Sequence, residues 1–255
     1  MQKKFFYLFV VLAVTVVCCN KTNTPDPVDN IELDKGLVAF FPFNGNTKDE
    51  SGNNNDGVII GGGLSYDEHG YANSAFNSNG NGNKVVVNNN GKIAFDTAFT
   101  ISYNVMVRNF GRYVFVSMVD NTTGKGVSFS TGTNIPGSRN VTFSISRSTS
   151  PCDQQFLTEG TQYMTINQYQ IQPESWYNLI FTFNRGSMKM YVNGVQTSSQ
   201  TIETYSTHIC PNAQLIIGGW WNGDAPASIN GKIDEVRLYN RVINADEIKE
   251  LSKHF

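Results

Sequence analysis

The stretch Gly231-Lys-Ile-Asp-Glu-Val-Arg-Leu-Tyr-Asn-Arg-Val-Ile-Asn-Ala-Asp-Glu-Ile-Lys-Glu-Leu251 changes period once, and that change restricts the fold more than any other feature of the chain. In its first half Ile233, Val236, Leu238 and Val242 fall broadly between Lys232, Asp234, Arg237 and Asn240, the period of a strand with one face on a core. Beyond that, Asn244 can cap a helix, Glu247 lies three residues on to reach back, and Ile243 and Ile248 hold the two hydrophobic-staple positions. The helix is short, with Ile248 and Leu251 on one apolar edge, so it reads as a plug packed on the end of a sheet. Asp234 stands out, because a carboxylate flanked by apolar strand positions needs a partner or a cation if it is buried. The plainer alternative is a solvated strand carboxylate.

The strand period recurs through the chain. Lys84–Val87, Phe99–Val107, Tyr113–Val119, Gly126–Ser130 and Asn140–Ser146 alternate or run apolar between Gly, Asn and Ser breaks, without helical periodicity. Trp176–Phe183 and Ser187–Gly194 form the clearest pair, with Asn193-Gly194 supplying a type I′ turn into Val195-Gln-Thr. Trp176 is expected in the core. Asn77–Gly91 is rich in Asn and Gly but interrupted by a strand, so it reads as loops at sandwich edges. No repeat of solenoid length is present. A chain of 255 residues that is 40% hydrophobic suits one large all-β domain behind an export segment. The formal charge of -2, without basic clustering, argues against a nucleic-acid partner.

Lys3 and Lys4 precede the apolar run Phe5 to Val17, which has the length of a signal-peptide core and is too short to span a bilayer. It ends at Val16-Val17-Cys18-Cys19, which resembles a bacterial lipoprotein signal. Cys19 is the better lipid acceptor, since Cys18 is small enough for the position before the cut and Val17 is not; a plain secretory peptide is the alternative. Residues 1–19 are thus expected to be leader and lipobox, and 20–35, polar with Pro25 and Pro27, a flexible tether. Residues 36–255 form the domain. The chain is expected to be exported and lipid-anchored to the bacterial envelope, at the outer membrane, its periplasmic or surface face left open. In that oxidising compartment Cys152 and Cys210 suggest a disulfide, two free buried thiols being the alternative.

Gly36-Leu-Val-Ala-Phe-Phe-Pro-Phe-Asn-Gly-Asn46 reads as a strand, followed by Thr47–Gly57, an Asn/Asp/Gly loop rich in turn formers and in oxygen. Together with Gly231–Arg241 it resembles the two ends of laminin-G-like, concanavalin A-like lectin/glucanase jelly-roll domains of bacterial envelope lipoproteins of the Bacteroidetes type, over residues 36–251. The Trp176 strand before the Tyr191-Val-Asn-Gly194 turn is similar to the same pattern. The resemblance implies an all-β, two-sheet antiparallel jelly-roll sandwich with a short C-terminal helix. It also implies a structural Ca2+ where the loop after the first strand meets a carboxylate on the last, a hard cation that wants several oxygens. By that resemblance Asp234 supplies the carboxylate, Asn44 and the Gly45 carbonyl supply loop oxygens, and Asp49 is a second candidate. Otherwise Asp234 pairs with Arg237, Arg241 or Lys232 and the loop is turn chemistry alone.

Recognition of a poly- or oligosaccharide needs an aromatic platform with amide and carboxylate partners. Gly218-Gly-Trp-Trp-Asn-Gly-Asp224 offers Trp220, Trp221, Asn222 and Asp224 together, though only one tryptophan faces outwards if the strand persists, and both can instead cap the core. Tyr66, with Asp67, His69 and Tyr71, forms a second polar-aromatic loop. The Glu-x-Asp-x-x-Glu run of laminarinase-type glucanases is missing, Glu159 and Glu174 are isolated, and the neighbours Asp67 and Glu68 would point to opposite faces of a strand. His69, His208 and His254 lack a zinc spacing. The sequence therefore favours a non-catalytic, lectin-like envelope lipoprotein. A structural or adhesive module with a protein partner, and a glycoside hydrolase whose carboxylates converge only in three dimensions, are the alternatives.

Overall fold

A computed structural model describes residues 31–89, 91–133, 140–146, 152–153, 171–203, 206–207 and 209–255. The leader, Cys19, most of the tether, Glu159 and His208 lie outside the described residues. Among the described residues the strands are β1 Leu37–Phe41, β2 Gly57–Ile60, β3 Gly63–Ser65, β4 Ala75–Asn79, β5 Lys84–Val87, β6 Ala98–Val107, β7 Val114–Asp120, β8 Phe129–Thr133, β9 Val141–Ile145, β10 Trp176–Asn184, β11 Ser187–Val192, β12 Val195–Thr201, β13 Ala213–Ile217 and β14 Asn230–Tyr239. One helix follows, α1, Ala245–Leu251.

The strands pair antiparallel in two sheets. One has eight strands in the order β12-β11-β10-β6-β14-β4-β3, with β1 also on β14; the other has six, β2-β5-β13-β7-β8-β9. Alternation decides which residues fill the space between them. On β6, Phe99, Ile101, Tyr103, Val105 and Val107 join the core, while Thr100, Ser102 and Asn104 take the other face. Phe99 packs against Phe95, Phe129 and Phe183 at ring separations of 5.0, 5.8 and 5.5 Å, and each fully buried phenylalanine contributes about 1.5–3 kcal/mol of transfer free energy. The buried Tyr103 hydroxyl donates to Thr131 Oγ1 at 2.9 Å, and burial holds its pKa well above the ordinary phenolic range. This is the antiparallel jelly-roll sandwich with a C-terminal helix that the sequence indicates.

Asn193 and Gly194 both take positive φ, 50° and 77°, as a type I′ turn requires, and so bring Val192 opposite Val195. Trp176 corrects an expectation: it shares the face of Asn178 and Ile180, opposite to the core residues Leu179 and Phe181, and is half-buried on the outside of the eight-stranded sheet. Cys152 and Cys210 are joined in a disulfide, with Cα atoms 5.6 Å apart.

α1 is also placed differently from the sequence reading. Ile243 and Ile248 cluster with Ile180 and Tyr239, with Leu37, Tyr191 and Leu251 around them, so the helix lies on the outer face of the eight-stranded sheet and not at its end. Val242 is turned outwards, 36% exposed. The cap forms as the sequence indicates: Asn244 Oδ1 accepts from the Glu247 backbone N–H at 2.9 Å, and Glu247 Oε2 accepts from the Asn244 N–H at 2.6 Å. Arg241 pairs with the same carboxylate and also donates to the Lys35 carbonyl at 2.6 Å, so residues 32–35, read as the end of the tether, form a turn held against the body. The hydrogen bond from Arg241 is the main reason the Glu247 carboxyl sits below its usual pKa.

A Glu247→Ala change removes a charge-assisted hydrogen bond and half of the cap, and should cost about 2–3 kcal/mol in urea denaturation. Because the folded pKa of Glu247 is depressed, its contribution is present above the unfolded value and is lost as pH falls through the folded one. The variant should therefore lose less stability on acidification than the parent.

Candidate functional site

One edge of β14 pairs with β6 along most of its length, while the other pairs with β4 at Asn230–Ile233 and with β1 at Val236–Tyr239. Asp234 faces Asn104 and Arg237 faces Ser102, so Glu235 and Val236 stand opposite the single residue Tyr103. That is a β-bulge, and Glu235 takes a φ of 53° within it. Asp234 Oδ1 accepts from the Glu235 N–H at 2.7 Å, and Asp234 is only 3% exposed. None of the cations expected as its partner takes that role: Lys232 donates to the Tyr66 carbonyl at 2.6 Å, Arg237 pairs with Glu235 and Arg241 with Glu247. Burial first, then the neighbouring Glu235 and Glu68, pushes its pKa up to about 9.

The loop between β3 and β4 brings two more carboxylates. Asp67 Oδ1 accepts from the N–H groups of His69 and Tyr71 at 2.9 and 2.8 Å, a turn that takes this segment out of strand geometry. Asp67 and Glu68 therefore do not diverge to opposite faces, and each places a carboxylate oxygen in one group with Asp234, all within 4.8 Å of one another. Glu68 Oε1 accepts from Asn104 Nδ2 at 2.6 Å, and Glu68 Oε2 is buried without a hydrogen bond. Behind it Asn178 Nδ2 donates to Asn104 Oδ1 at 2.9 Å, and Ser252 Oγ to Asn178 Oδ1 at 2.8 Å. The row runs from α1 across β10 and β6 to the carboxylates. Its oxygen-rich donor set, with one orphaned buried oxygen and one desolvated carboxyl, fits a hard divalent cation such as Ca2+.

Of the ligands expected from the sequence, Asp234 and Asn44 line the same pocket of about 290 Å3. Gly45 and Asp49 do not line it. The Gly45 N–H donates to the Asn73 carbonyl at 2.8 Å. Asp49 accepts from the backbone N–H groups of Phe40 and Ser51, both at 2.9 Å, and Asn55, at 2.8 Å, which ties the loop to β1. Asp67 and Glu68 line the pocket, and the one signal for them was the acidic pair inside the polar-aromatic Tyr66–Tyr71 loop. Tyr66 itself is 59% exposed.

Trp220 and Trp221 follow the end of β13, so strand alternation does not separate them. Both are half-buried against Val119, Val127 and Ile216 on the outer face of the six-stranded sheet. The nearly buried Lys84 holds this turn from below: Nζ donates to the carbonyls of Trp220 and Trp221 and, at 2.7 Å, to Asn121 Oδ1, and burial lowers its pKa. Gly124 leaves room for the Trp221 indole, which would lie 2.1 Å from a Cβ there. Asn222 Oδ1 accepts from the Asp224 N–H at 3.0 Å, and Asp224 pairs with Arg112 at 3.0 Å.

The two antiparallel sheets make an all-β sandwich, and that architecture defines the class. A family model described as the concanavalin A-like lectin/glucanases superfamily matches residues 79–249, and the chain belongs to that family. No curated protein sequence matches. Among solved structures, domain 4 of AbnA, an extracellular arabinanase from Geobacillus stearothermophilus in complex with arabinotriose, is 19% identical with a TM-score of 0.57, over 85% of this chain and 98% of that one. The binding domain of Paraclostridial Mosquitocidal Protein 1 is 18% identical, TM-score 0.57, over 86% of this chain. The ligand binding domain of botulinum neurotoxin serotype D, in complex with N-acetylneuraminic acid, is 14% identical, TM-score 0.61, over 87% of this chain. The chain spans about half of each toxin domain, 52% and 51%.

The raised pKa of Asp234 sets a pH dependence. Its folded form holds a proton that the unfolded chain has released, so the favourable contribution is present below the unfolded pKa and is lost as pH climbs towards about 9. In EDTA, the Asp234→Asn variant should melt several degrees above the parent at pH 8, with the gap closing near pH 4, since about 1 kcal/mol moves Tm by about 2–4 °C at this size. Equal melting temperatures at pH 8 would show that the carboxylate is not strained by burial.

Proposed function

We propose that the chain is a non-catalytic carbohydrate-binding module of an exported protein, held at the bacterial envelope by lipid on Cys19 and stiffened by a Ca2+ ion at Asp67, Glu68 and Asp234. The observation that carries the glycan reading is the arabinanase domain. It has the same sandwich, matched over 98% of its length, and was solved with arabinotriose. The chemistry of this chain supports it, because the half-buried indoles of Trp220 and Trp221 offer apolar surface for sugar C–H faces beside the amide of Asn222 and the carboxylate of Asp224. Lipid on Cys19 together with an acylated amine would give the two chains that stable anchoring needs. A bound Ca2+ would offset the mutual repulsion of the three carboxylates and join the β3–β4 loop to the middle of β14.

Binding to a panel of immobilised envelope and dietary polysaccharides, read by affinity electrophoresis, should reveal at least one retained ligand. The double change Trp220→Ala and Trp221→Ala should weaken that retention about tenfold or more. Retention unchanged by the double variant would remove these residues from the site. Reducing-sugar release that disappears in Glu68→Gln would instead make the acidic pocket a hydrolytic centre.

The cation is tested separately by melting. EDTA should lower Tm and added Ca2+ restore it, while Asp234→Asn should melt at the same temperature with and without Ca2+. Asp49→Ala, by contrast, should lower Tm in both conditions and keep the Ca2+ response, because its three backbone hydrogen bonds order the loop independently of the acidic cluster. A parent protein indifferent to both EDTA and Ca2+ would sink the metal site.

A further inference from the structure

Among the described residues the exposed phenylalanine, tyrosine or tryptophan side chains are Tyr66, at 59%, and Tyr71, at 67%, and both stand on the loop between β3 and β4. A single exposed tyrosine needs no explanation. This pair differs because the backbone beneath it is pinned. The Tyr66 carbonyl accepts from Lys232 Nζ at 2.6 Å, the Tyr71 N–H donates to Asp67 Oδ1 at 2.8 Å, and the Tyr71 carbonyl accepts from the Asp67 N–H at 3.2 Å. Gly70 turns the chain between them at a φ of 83°. The rings of Tyr71 and His69 lie at 62° with centroids 6.1 Å apart, and those of His69 and His254, beyond α1, at 85° and 5.1 Å. Edge-to-face contacts fix the direction of a ring and leave a face open. Beside these rings is the acidic pocket, which His69 and His254 line together with Asp67, Glu68 and Asp234. Its acceptors are withdrawn from water: the Glu68 side chain is 10% exposed, and its Oε2 has no hydrogen bond.

We infer that Tyr66, His69 and Tyr71 form a second glycan-contacting surface, distinct from the Trp220–Trp221 turn, which takes a neutral sugar unit and depends on the Ca2+ ion for its shape. The inference rests on the glycan-binding and Ca2+ readings and gives the ion a part in recognition. A sugar unit with its C–H face on an exposed phenol ring can turn hydroxyl donors towards the neighbouring carboxylates and imidazole. The charges of Asp67, Glu68 and Asp234 are offset by a divalent cation and Lys232, so the surface selects neither a uronate nor an amino sugar. The dependence on the ion follows from the same residues. Asp67 is at once the acceptor that closes the Tyr66–Tyr71 turn and a member of the acidic group, so repulsion from Glu68 and Asp234 acts directly on that turn when no cation is present. By linkage, the factor by which Ca2+ tightens glycan binding at this surface is the factor by which glycan tightens Ca2+ binding.

The test uses the full chain purified in a detergent without a sugar headgroup. Retention by neutral polysaccharides, and by polygalacturonate as the anionic arm, is read by affinity electrophoresis in Ca2+ and in EDTA, with amide hydrogen exchange on the same samples. One polymer engages both surfaces, so in Ca2+ the double change Tyr66→Ala and Tyr71→Ala should weaken retention about fivefold, with Tm unchanged because both rings are exposed. EDTA should weaken the parent by a similar factor and leave the tyrosine variant where it is. Exchange at the His69 and Tyr71 amides should quicken in EDTA. Parent-level retention by the tyrosine variant in Ca2+ overturns the surface and leaves the module reading standing on the tryptophans. Further weakening of the tyrosine variant by EDTA, or exchange at His69 and Tyr71 that ignores EDTA, overturns the dependence on the ion. Retention by polygalacturonate alone overturns the neutral-ligand assignment. A parent that retains no polysaccharide overturns the surface and the module reading together.

Discussion

β14 has to serve two different neighbours on one edge while keeping a single neighbour on the other, and the structure around it follows from that demand. β4 meets β14 at Asn230–Ile233 and β1 meets it at Val236–Tyr239, and between them the strand carries an extra residue against β6, at Glu235–Val236. The bulge interrupts the ladder and re-aims a side chain, as bulges do near sites. Here the side chain is Asp234. The same irregularity sets Arg237 over the Phe40 ring, 3.8 Å from its centroid, instead of beside the carboxylate. A strand that solves a pairing problem thereby creates an electrostatic one.

The electrostatic problem is shared out across the sheet. Asn178, Asn104 and Asp234 sit side by side in register on β10, β6 and β14, a row of polar groups on the face opposite the phenylalanine core. Low local dielectric strengthens each hydrogen bond in the row and equally raises the cost of its unsatisfied end. That end is Glu68 Oε2 together with Asp234, which is why the chemistry concentrates at a loop far away in sequence. The Trp220–Trp221 turn lies elsewhere, after β13 and against the outer face of the six-stranded sheet, so the acidic cluster and the paired indoles are separate parts of one scaffold.

Much of the fold was legible in the sequence, because long strands with strong alternation carry their own register: β5, β6, β10 and β11 sit within a residue or two of their sequence-read positions. The helix cap was legible for the same reason, its partners being three residues apart. β2, β3, β4 and β13 were not read from the sequence. They are three to five residues long, and β4, Ala-Phe-Asn-Ser-Asn, hides the fully buried Phe76 among asparagines. β8 begins at Phe129, later than the alternation from Gly126 suggests. The acidic site was half legible. Asp234 could be picked out as a carboxylate in an apolar strand, but Asp67 and Glu68 reach it only through a turn made by the side chain of Asp67 itself, and adjacency in sequence argued for divergence. Asp49 looked like a ligand because a carboxylate that collects backbone N–H groups has the same local sequence as one that collects a cation.

The pairing of β1 with β14 also has a mechanical meaning. The chain joins the sheet at Leu37, directly opposite Tyr239, whereas Asn230 stands at the far end of β14. The ten residues of β14 set those ends nine rises apart, about 30 Å at the usual rise. A load applied between Leu37 and the Asn230 end therefore runs lengthwise along β14. Its interstrand bonds to β1 and β6 lie across that direction and must yield together in shear, whereas a load across the sheet would unzip them one at a time.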